Sequence, residues 1–331
     1  MTKLFRLLVT SVSVAMGISL GATAATAQPV VLKGITPWQA DYDLSKSFFI
    51  FQELVNERLK GKVDLKYLGG PEVTQPENQF EALRNGVVEV LLGAAAYYRG
   101  EVPAAAAVQF TKRLPSELRT SGYFDLMQKL HAEKGVVYLA NTAGGNKFRL
   151  YFTRPVSKPD LAGMKVRVSP VYLPMVKALG GTPVTIAPGE VYTALERGAI
   201  DGYGWTYTGI DVFGWHEATK ALIDHPFYSL DGSILMNKAA WDRLPDDVKA
   251  ELKAIGVETE KRVEAFMAER LAAEDEKLKA LGIAFVRFSD ADAERYLKAA
   301  YEAGWADFLA KNKALVEKQP ELIEQLNKTG M

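Results

Sequence analysis

Apolar positions in the first third of the chain alternate between short runs and faces at helical spacing. The run from Val30 to Ile35 predicts a strand, and further strands are predicted over 63–68 and 87–93. The helix between these two strands ends at Gly86, since glycine is common just past a helix end. The alternation predicts an α/β sheet. A first helix is predicted from apolar residues that share one face: Leu44, Phe48, Phe51, Leu54, Val55 and Leu59.

The middle of the chain repeats this order of elements. Residues 82–89 resemble residues 194–201, since each segment has a helix end, a glycine, two apolar residues and an acid. The likeness is typical of any helix-to-strand junction. It also fits two α/β lobes of similar topology, with a ligand cleft at the strand ends. The predicted strands are 165–168, 183–186 and 199–203, and the predicted helices are 171–179 and 188–197.

The last third predicts connections between two lobes. A strand is predicted over 233–236 and another over 283–288. The segment 246–281 between them is rich in Ala, Glu, Lys and Leu, and it predicts one long spine helix with a kink near Gly256. Two or three helices then close the chain.

The N-terminal segment has the order of a secretory signal peptide. Lys3 and Arg6 precede an apolar stretch over 7–20, and Ala25-Thr26-Ala27 forms a small-x-small cleavage site. We predict that residues 1–27 are removed and that the mature chain starts at Gln28 in the periplasm. An uncleaved anchor is the alternative, although the apolar stretch is short for a membrane span.

Composition excludes several classes of function. The chain has no Cys, which excludes a disulfide framework, a catalytic thiol and lipid attachment through cysteine. Lys and Arg number 40, as do Asp and Glu, and removal of 1–27 leaves a net charge of −2. This balance argues against a nucleic-acid partner. The three histidines lack metal-ligand spacing and no Gly-x-Ser-x-Gly motif occurs, so an enzyme is not expected.

An ordered series of motifs covers nearly the whole mature chain. The motifs are Leu68-Gly69-Gly70 with 81–86, then 158–168, 178–184, 190–202 and 235–245. This series resembles the solute-binding subunits of tripartite ATP-independent periplasmic (TRAP) transporters, of the dicarboxylate-binding type. The resemblance implies an α/β, periplasmic-binding-protein-like fold of two lobes, with a hinge and a long lobe-spanning helix.

We divide the chain on this basis. Lobe I is predicted to hold 28–145 and 233–272, and lobe II to hold 146–232 and 273–300. Residues 301–331 are predicted as C-terminal helices that pack across the lobes.

The resemblance implies that Arg167 forms a salt bridge with the ligand carboxylate. Its guanidinium is planar and always charged, and its donors match both carboxylate oxygens. From the residues alone, a solvent-exposed arginine on an edge strand is the alternative. A second family arginine is matched by Arg149, which follows Phe148. Glu190 is predicted to orient Arg167.

The sequence departs from the family pattern over 203–207. Trp205 stands where many members have an asparagine that bonds the ligand, and Gly204 stands where metal-using members have an acid. We therefore expect no metal or other cofactor, and a ligand other than a C4-dicarboxylate. Trp205, Tyr203 and Tyr207 predict an apolar or aromatic wall, although any of them also suits packing.

One further aromatic residue completes the predicted site. Trp38 lies in the loop after the first strand and is expected to face the ligand, because loops at strand ends carry sites.

The sequence thus predicts a monomeric periplasmic solute-binding protein without enzymatic activity. We expect this protein to capture a small organic carboxylate, a monocarboxylate with an apolar or aromatic part, and to deliver it to a TRAP-type permease. A binding protein for an ATP-driven importer or a sensor is the alternative, with a secreted hydrolase as a further one.

Overall fold

The computed structural model describes residues 28–328, so the predicted signal peptide lies outside the described residues. Two β-sheets covered by helices form two lobes, which confirms the predicted α/β fold. The strands, numbered in chain order, are β1 (Val30–Ile35), β2 (Val63–Gly69), β3 (Val90–Gly93), β4 (Val136–Asn141), β5 (Lys147–Phe152), β6 (Lys165–Arg167), β7 (Thr182–Val184), β8 (Gly202–Thr206), β9 (Ala221–Ile223), β10 (Phe227–Ser229), β11 (Ser233–Asn237) and β12 (Ala284–Val286).

Helices connect and cover these strands. Short 3-10 segments occur at Asp43–Ser45, Pro103–Phe110 and Trp215–Glu217. The α-helices are α1 (Lys46–Arg58), α2 (Pro76–Arg84), α3 (Ala95–Tyr98), α4 (Pro115–Thr120), α5 (Tyr123–Ala132), α6 (Leu173–Ala178), α7 (Pro188–Glu196), α8 (Lys238–Asp242), α9 (Asp246–Ala280), α10 (Asp290–Lys311), α11 (Lys313–Lys318) and α12 (Pro320–Lys328).

The chain passes back and forth between the two sheets. The sheet of lobe I has the order β2-β1-β3-β11-β4, and that of lobe II has the order β12-β9-β5-β8-β6-β7, with β10 beside β5. Within lobe I, β1 is parallel to β2 and β3, whereas β11 is antiparallel to β3 and β4. Because β11 follows the strands of lobe II, the chain passes between the lobes at β4–β5, at β10–β11 and through α9.

Two of these crossovers lie side by side, where the hinge of a two-lobed protein is expected. The amide of Thr142 donates to the carbonyl of Gly232 at 2.7 Å, and the amide of Leu230 donates to the carbonyl of Asn146 at 2.8 Å. Tyr228 has φ +39°, the only positive φ of a non-glycine residue in the part of the chain that the structure describes.

The spine helix α9 was predicted over 246–281 and ends one residue earlier. It packs against α1 and β4 of lobe I. Its C-terminal part reaches lobe II, where Leu278 joins the core. The helix runs without interruption through Gly256, the site of the predicted kink. A Cβ on Gly256 would lie 2.4 Å from the carbonyl oxygen of Leu139, so glycine here allows the helix to approach β4 closely.

The C-terminal helices also contact both lobes. Helix α10 packs on α6 of lobe II and on the 103–110 segment of lobe I. The predicted boundary between residues 300 and 301 falls inside this helix, which starts at Asp290 because Ser289 caps its N-terminus. The predicted division of the chain into lobes stays a prediction.

Glu274 is a buried carboxylate in the part of α9 that lies near lobe II. Neither of its oxygens has a hydrogen-bond partner within residues 28–328, and the ammonium of Lys277 lies 3.9 Å away. Burial raises the pKa of Glu274; Lys277 and Arg270 oppose this rise, whereas Asp211 and Asp43 add to it. The folded protein therefore holds this proton more tightly than the unfolded chain.

We expect Glu274→Gln to stabilise the protein by about 1–3 kcal/mol at neutral pH, because it removes a buried, unsatisfied charge. Below about pH 4, the pKa of Glu in the unfolded chain, Glu274 is protonated in both states and does not lower the free energy of unfolding. As the pH rises through the higher pKa of the folded state, the cost of burying this carboxylate comes to lower the free energy of unfolding in full. The gain should therefore vanish on acidification, as urea unfolding at several pH values would show. Glu269→Gln makes the same charge change on an exposed position of the helix and should lack this pH dependence. A variant less stable than wild type at neutral pH would contradict the prediction.

Candidate functional site

Arg167 ends strand β6 and is 4% exposed. In the sheet it lies opposite Tyr203 of β8, so both side chains leave the same face. Its Nε donates to the carbonyl of Ile186 at 3.2 Å. Its Nη1 donates to the hydroxyl of Tyr172 at 3.1 Å and to the carbonyl of Gly204 at 3.4 Å. The buried guanidinium is thus held in a defined orientation.

The partners of Arg167 do not neutralise its charge. Within residues 28–328, each hydrogen bond of its side chain goes to a neutral oxygen. Two other arginines that pack against α9 form ion pairs instead, Arg119 with Glu260 and Arg149 with Asp275. A buried charge without a counter-charge is costly, and a carboxylate that enters the site would offset that cost.

An aromatic group beside Arg167 extends from lobe II to lobe I. The ring of Trp205 lies 5.3 Å from the guanidinium and packs edge-on against Phe213 and Trp215. The ring of Tyr42 from lobe I lies 6.1 Å from Phe213, and Trp38 lies 6.1 Å from Tyr42. The group thus offers apolar surface next to a cation.

Tyr97 of lobe I completes this surface and was not predicted from the sequence. Burial raises the pKa of Tyr97 and the negative charges of Glu77 and Asp231 add to this rise, whereas Trp38 and the positive charge of Arg167 oppose it. The ring contacts from Trp38 through Tyr42 to Phe213 bring the aromatic residues of lobe I towards Trp205 of lobe II.

Arg149, predicted as a second arginine that binds the ligand, is paired with carboxylates of the protein itself. It is 1% exposed, and its guanidinium contacts Asp275 at 2.6 Å and Asp224 at 2.9 Å. It also stacks on the ring of Tyr207 at 3.5 Å. Two carboxylates already neutralise its charge, and the contact with Asp275 attaches β5 to α9. The ring of Tyr207, which was predicted as part of the aromatic wall, therefore packs on Arg149 within this ion-pair cluster.

Two further predicted residues lie away from Arg167's polar contacts. Tyr203 is fully buried in lobe II, where it stacks on Tyr151 and its hydroxyl lies 2.7 Å from that of Thr219. Glu190 is exposed, and its carboxylate accepts from the amide of Ala187 at 3.3 Å. The expected contact between Glu190 and Arg167 is not formed, because Glu190 caps the N-terminus of α7.

Other features of the described chain bear on the predicted chemistry. Residues 28–328 contain no cluster of His, Cys, Asp and Glu side chains suited to a metal ion. They also include no helix with the length and apolar character needed to cross a membrane. Two surface cavities, of about 820 and 320 Å³, lie beside α10, and Arg167, Trp205 and Trp38 line neither of them.

Comparison with known proteins identifies the family. Residues 38–312 match the model of "Bacterial extracellular solute-binding protein, family 7". The chain belongs to this family. The predicted resemblance is thereby confirmed, and the family is one of extracellular transport proteins rather than enzymes.

Individual relatives agree with this assignment. The C4-dicarboxylate-binding periplasmic protein DctP of Rhodobacter capsulatus is 28% identical over 257 residues, covering 72% of this chain and 76% of the relative. A solute-binding protein of Albidiferax ferrireducens is 28% identical over 280 residues, covering 79% and 80%. The crystal structure of a TRAP periplasmic solute-binding protein from Ochrobactrum anthropi superposes with a TM-score of 0.78 at 26% identity, covering 91% of this chain and 96% of that one.

Proposed function

We propose that this protein captures a small organic carboxylate between its lobes and delivers it to a TRAP-type membrane permease. The observation that carries the proposal is Arg167, a buried arginine whose side chain is fixed by neutral oxygens alone. Such a guanidinium is oriented before the ligand arrives and keeps its charge for it. A charge-assisted pair with a carboxylate gains strength where water is excluded.

The ligand class that suits the site is a monocarboxylate with an apolar or aromatic part. Arg149 already has two carboxylate partners, so Arg167 is left to bind a single carboxylate. Trp205, Trp38 and Tyr97 supply aromatic surface for the rest of the ligand. In this proposal Tyr203, Tyr207 and Glu190 do not contact the ligand. The two tyrosines pack within lobe II, and Glu190 caps helix α7.

The ligands of proteins with this fold support a carboxylate. Structures of TRAP solute-binding proteins hold β-D-galacturonate, orotic acid, L-malate and pyroglutamate. Galacturonate, orotate and pyroglutamate each combine one carboxylate with a ring. A ring of this kind suits the aromatic surface beside Arg167, as stacking and edge contacts favour flat or ring-shaped groups.

Native mass spectrometry of freshly purified protein, followed by a thermal-shift screen, tests the proposal. A ligand present at about 100 times its dissociation constant adds about 2.7 kcal/mol of stability. In a protein of this size that corresponds to a rise in Tm of several degrees. We expect ring-bearing monocarboxylates to raise Tm, and their amides to leave it unchanged. Equal shifts with acid and amide, or shifts with dicarboxylates alone, would contradict the proposed ligand class.

A further inference from the structure

Tyr172 lies between β6 and α6, and its side chain is fully buried. Its hydroxyl donates to the carbonyl of Gly204 at 2.6 Å and accepts from Nη1 of Arg167 at 3.1 Å. The ring packs against Phe148 and Phe227, with centroids 5.3 and 6.0 Å away. The hydroxyl is therefore fixed by two hydrogen bonds and joins Arg167 to strand β8.

Gly204 makes this arrangement possible. A Cβ built at this position would lie 2.3 Å from Cε2 of the Tyr172 ring, which is closer than non-bonded carbon atoms approach. Glycine within a strand commonly marks such a close approach. Any larger residue at 204 would displace the ring and, with it, the hydroxyl that contacts Arg167.

We propose that Tyr172 is a positioning residue for the ligand carboxylate. It holds the guanidinium of Arg167 through a neutral hydroxyl and leaves Nη2 and the full positive charge for the ligand. This inference rests on the proposed function of Arg167 as the anchor.

The cluster around Arg149 shows why a neutral partner matters. Asp275 and Asp224 fix the guanidinium of Arg149 equally well, but their charges cancel its own. A hydroxyl that accepts from Arg167 orients it without that cancellation. The hydroxyl is in turn fixed because it donates to the Gly204 carbonyl, so its lone pair faces Nη1.

Tyr172→Phe separates this role from packing, because the ring stays and only the hydroxyl is lost. Tyr151→Phe is a matched control. Its hydroxyl is also buried and also donates to a carbonyl of β8, that of Thr206 at 2.9 Å, and no contact found in the described part of the chain joins it to Arg167. The two variants should lose similar stability, so any difference in ligand binding reports on Arg167.

Two measurements are made on wild type and both variants. The first is NMR of the Arg167 guanidinium without ligand, assigned with Arg167→Lys. Its rotation should be slow in wild type and Tyr151→Phe, and faster in Tyr172→Phe. The second is calorimetry with orotate, pyroglutamate and benzoate. The acid that binds wild type most tightly should bind Tyr172→Phe about tenfold more weakly, which equals about 1.4 kcal/mol, and Tyr151→Phe within about twofold.

Gly204→Ala provides an independent variant, since it retains every hydroxyl and fits only if the Tyr172 ring moves. We expect the same faster rotation of Arg167. Equal rotation in Tyr172→Phe and Tyr151→Phe would overturn the positioning role, even if none of the three acids binds. If Arg167→Ala binds an acid as wild type does, the proposed anchor itself is wrong, whereas loss of binding in Arg167→Ala with normal binding in Tyr172→Phe rejects only the role of Tyr172.

Discussion

Arg167→Ala is expected to weaken carboxylate binding by about 2–5 kcal/mol, because the ligand carboxylate would be buried without its partner. At about 1.4 kcal/mol per factor of ten, the loss is at least tenfold in affinity. Calorimetry with the acid and with its amide measures the effect. The amide should bind wild type weakly and should lose little more in the variant, since it offers no charge to Arg167.

Three other variants define what this result means. Lys165→Ala removes an exposed cation two residues away on the same strand, and it should bind within about twofold of wild type. Arg167→Lys should restore only part of the affinity, since a compact ammonium cannot reproduce the planar donors that Ile186, Tyr172 and Gly204 hold in orientation. Trp205→Ala should weaken ligands with an apolar body more than small acids. Wild-type affinity in Arg167→Ala would show that the anchor is misassigned.

Much of the fold follows from local pattern, and the spine helix shows why. Its predicted range differs from the observed one by a single residue. Pro245 precedes it, two aspartates occupy its first turn and Gly282 follows its end, so sequence signals mark both boundaries. Strand β1 was predicted with its observed bounds, because its apolar run is followed by Thr36-Pro37.

Strands buried on both faces were harder to recognise. The segment that forms β4 and β5 was assigned no strand, and most residues of both strands are buried. Such strands lack the alternation that identifies a half-buried one. Strand β8 begins at 202 and not at 199, because the amides of Ala199 and Ile200 bond back to the carbonyl of Ala194 at the end of α7.

The site was only partly accessible from sequence for a different reason. Arg167 lies in a family motif, whereas the partners of Arg149 lie 75 and 126 residues away along the chain. A local sequence pattern carries no information about partners so far away along the chain. In the sequence, an arginine with carboxylate partners therefore cannot be distinguished from one without them. Tyr172 had one signal, the glycine at 204, which we interpreted as the loss of an acid. Its second meaning, close approach of a ring, requires the tertiary structure.

Arg149→Met is expected to lower the free energy of unfolding by about 2–4 kcal/mol, because it leaves two aspartates without their shared partner. The value lies below that of a fully buried pair for two reasons. Asp275 retains 32% of its side-chain exposure, and Asp224 keeps a second contact with Arg287 at 2.8 Å. Urea unfolding measures the loss. Folded Arg149→Met should still bind the ligand within about twofold of wild type, since its charge is not directed at the ligand.

Two comparisons decide whether the cluster around Arg149 is structural. Arg287→Met removes an arginine that is 78% exposed from the same Asp224, and it should change stability by less than about 1 kcal/mol. Adding Asp275→Asn to Arg149→Met should recover part of the loss, because it removes a charge that the first change leaves unpaired. Unchanged stability in Arg149→Met together with lost ligand binding would instead make Arg149 the carboxylate anchor. That outcome would require the lobes to rearrange so that Asp224 and Asp275 release its guanidinium to the ligand.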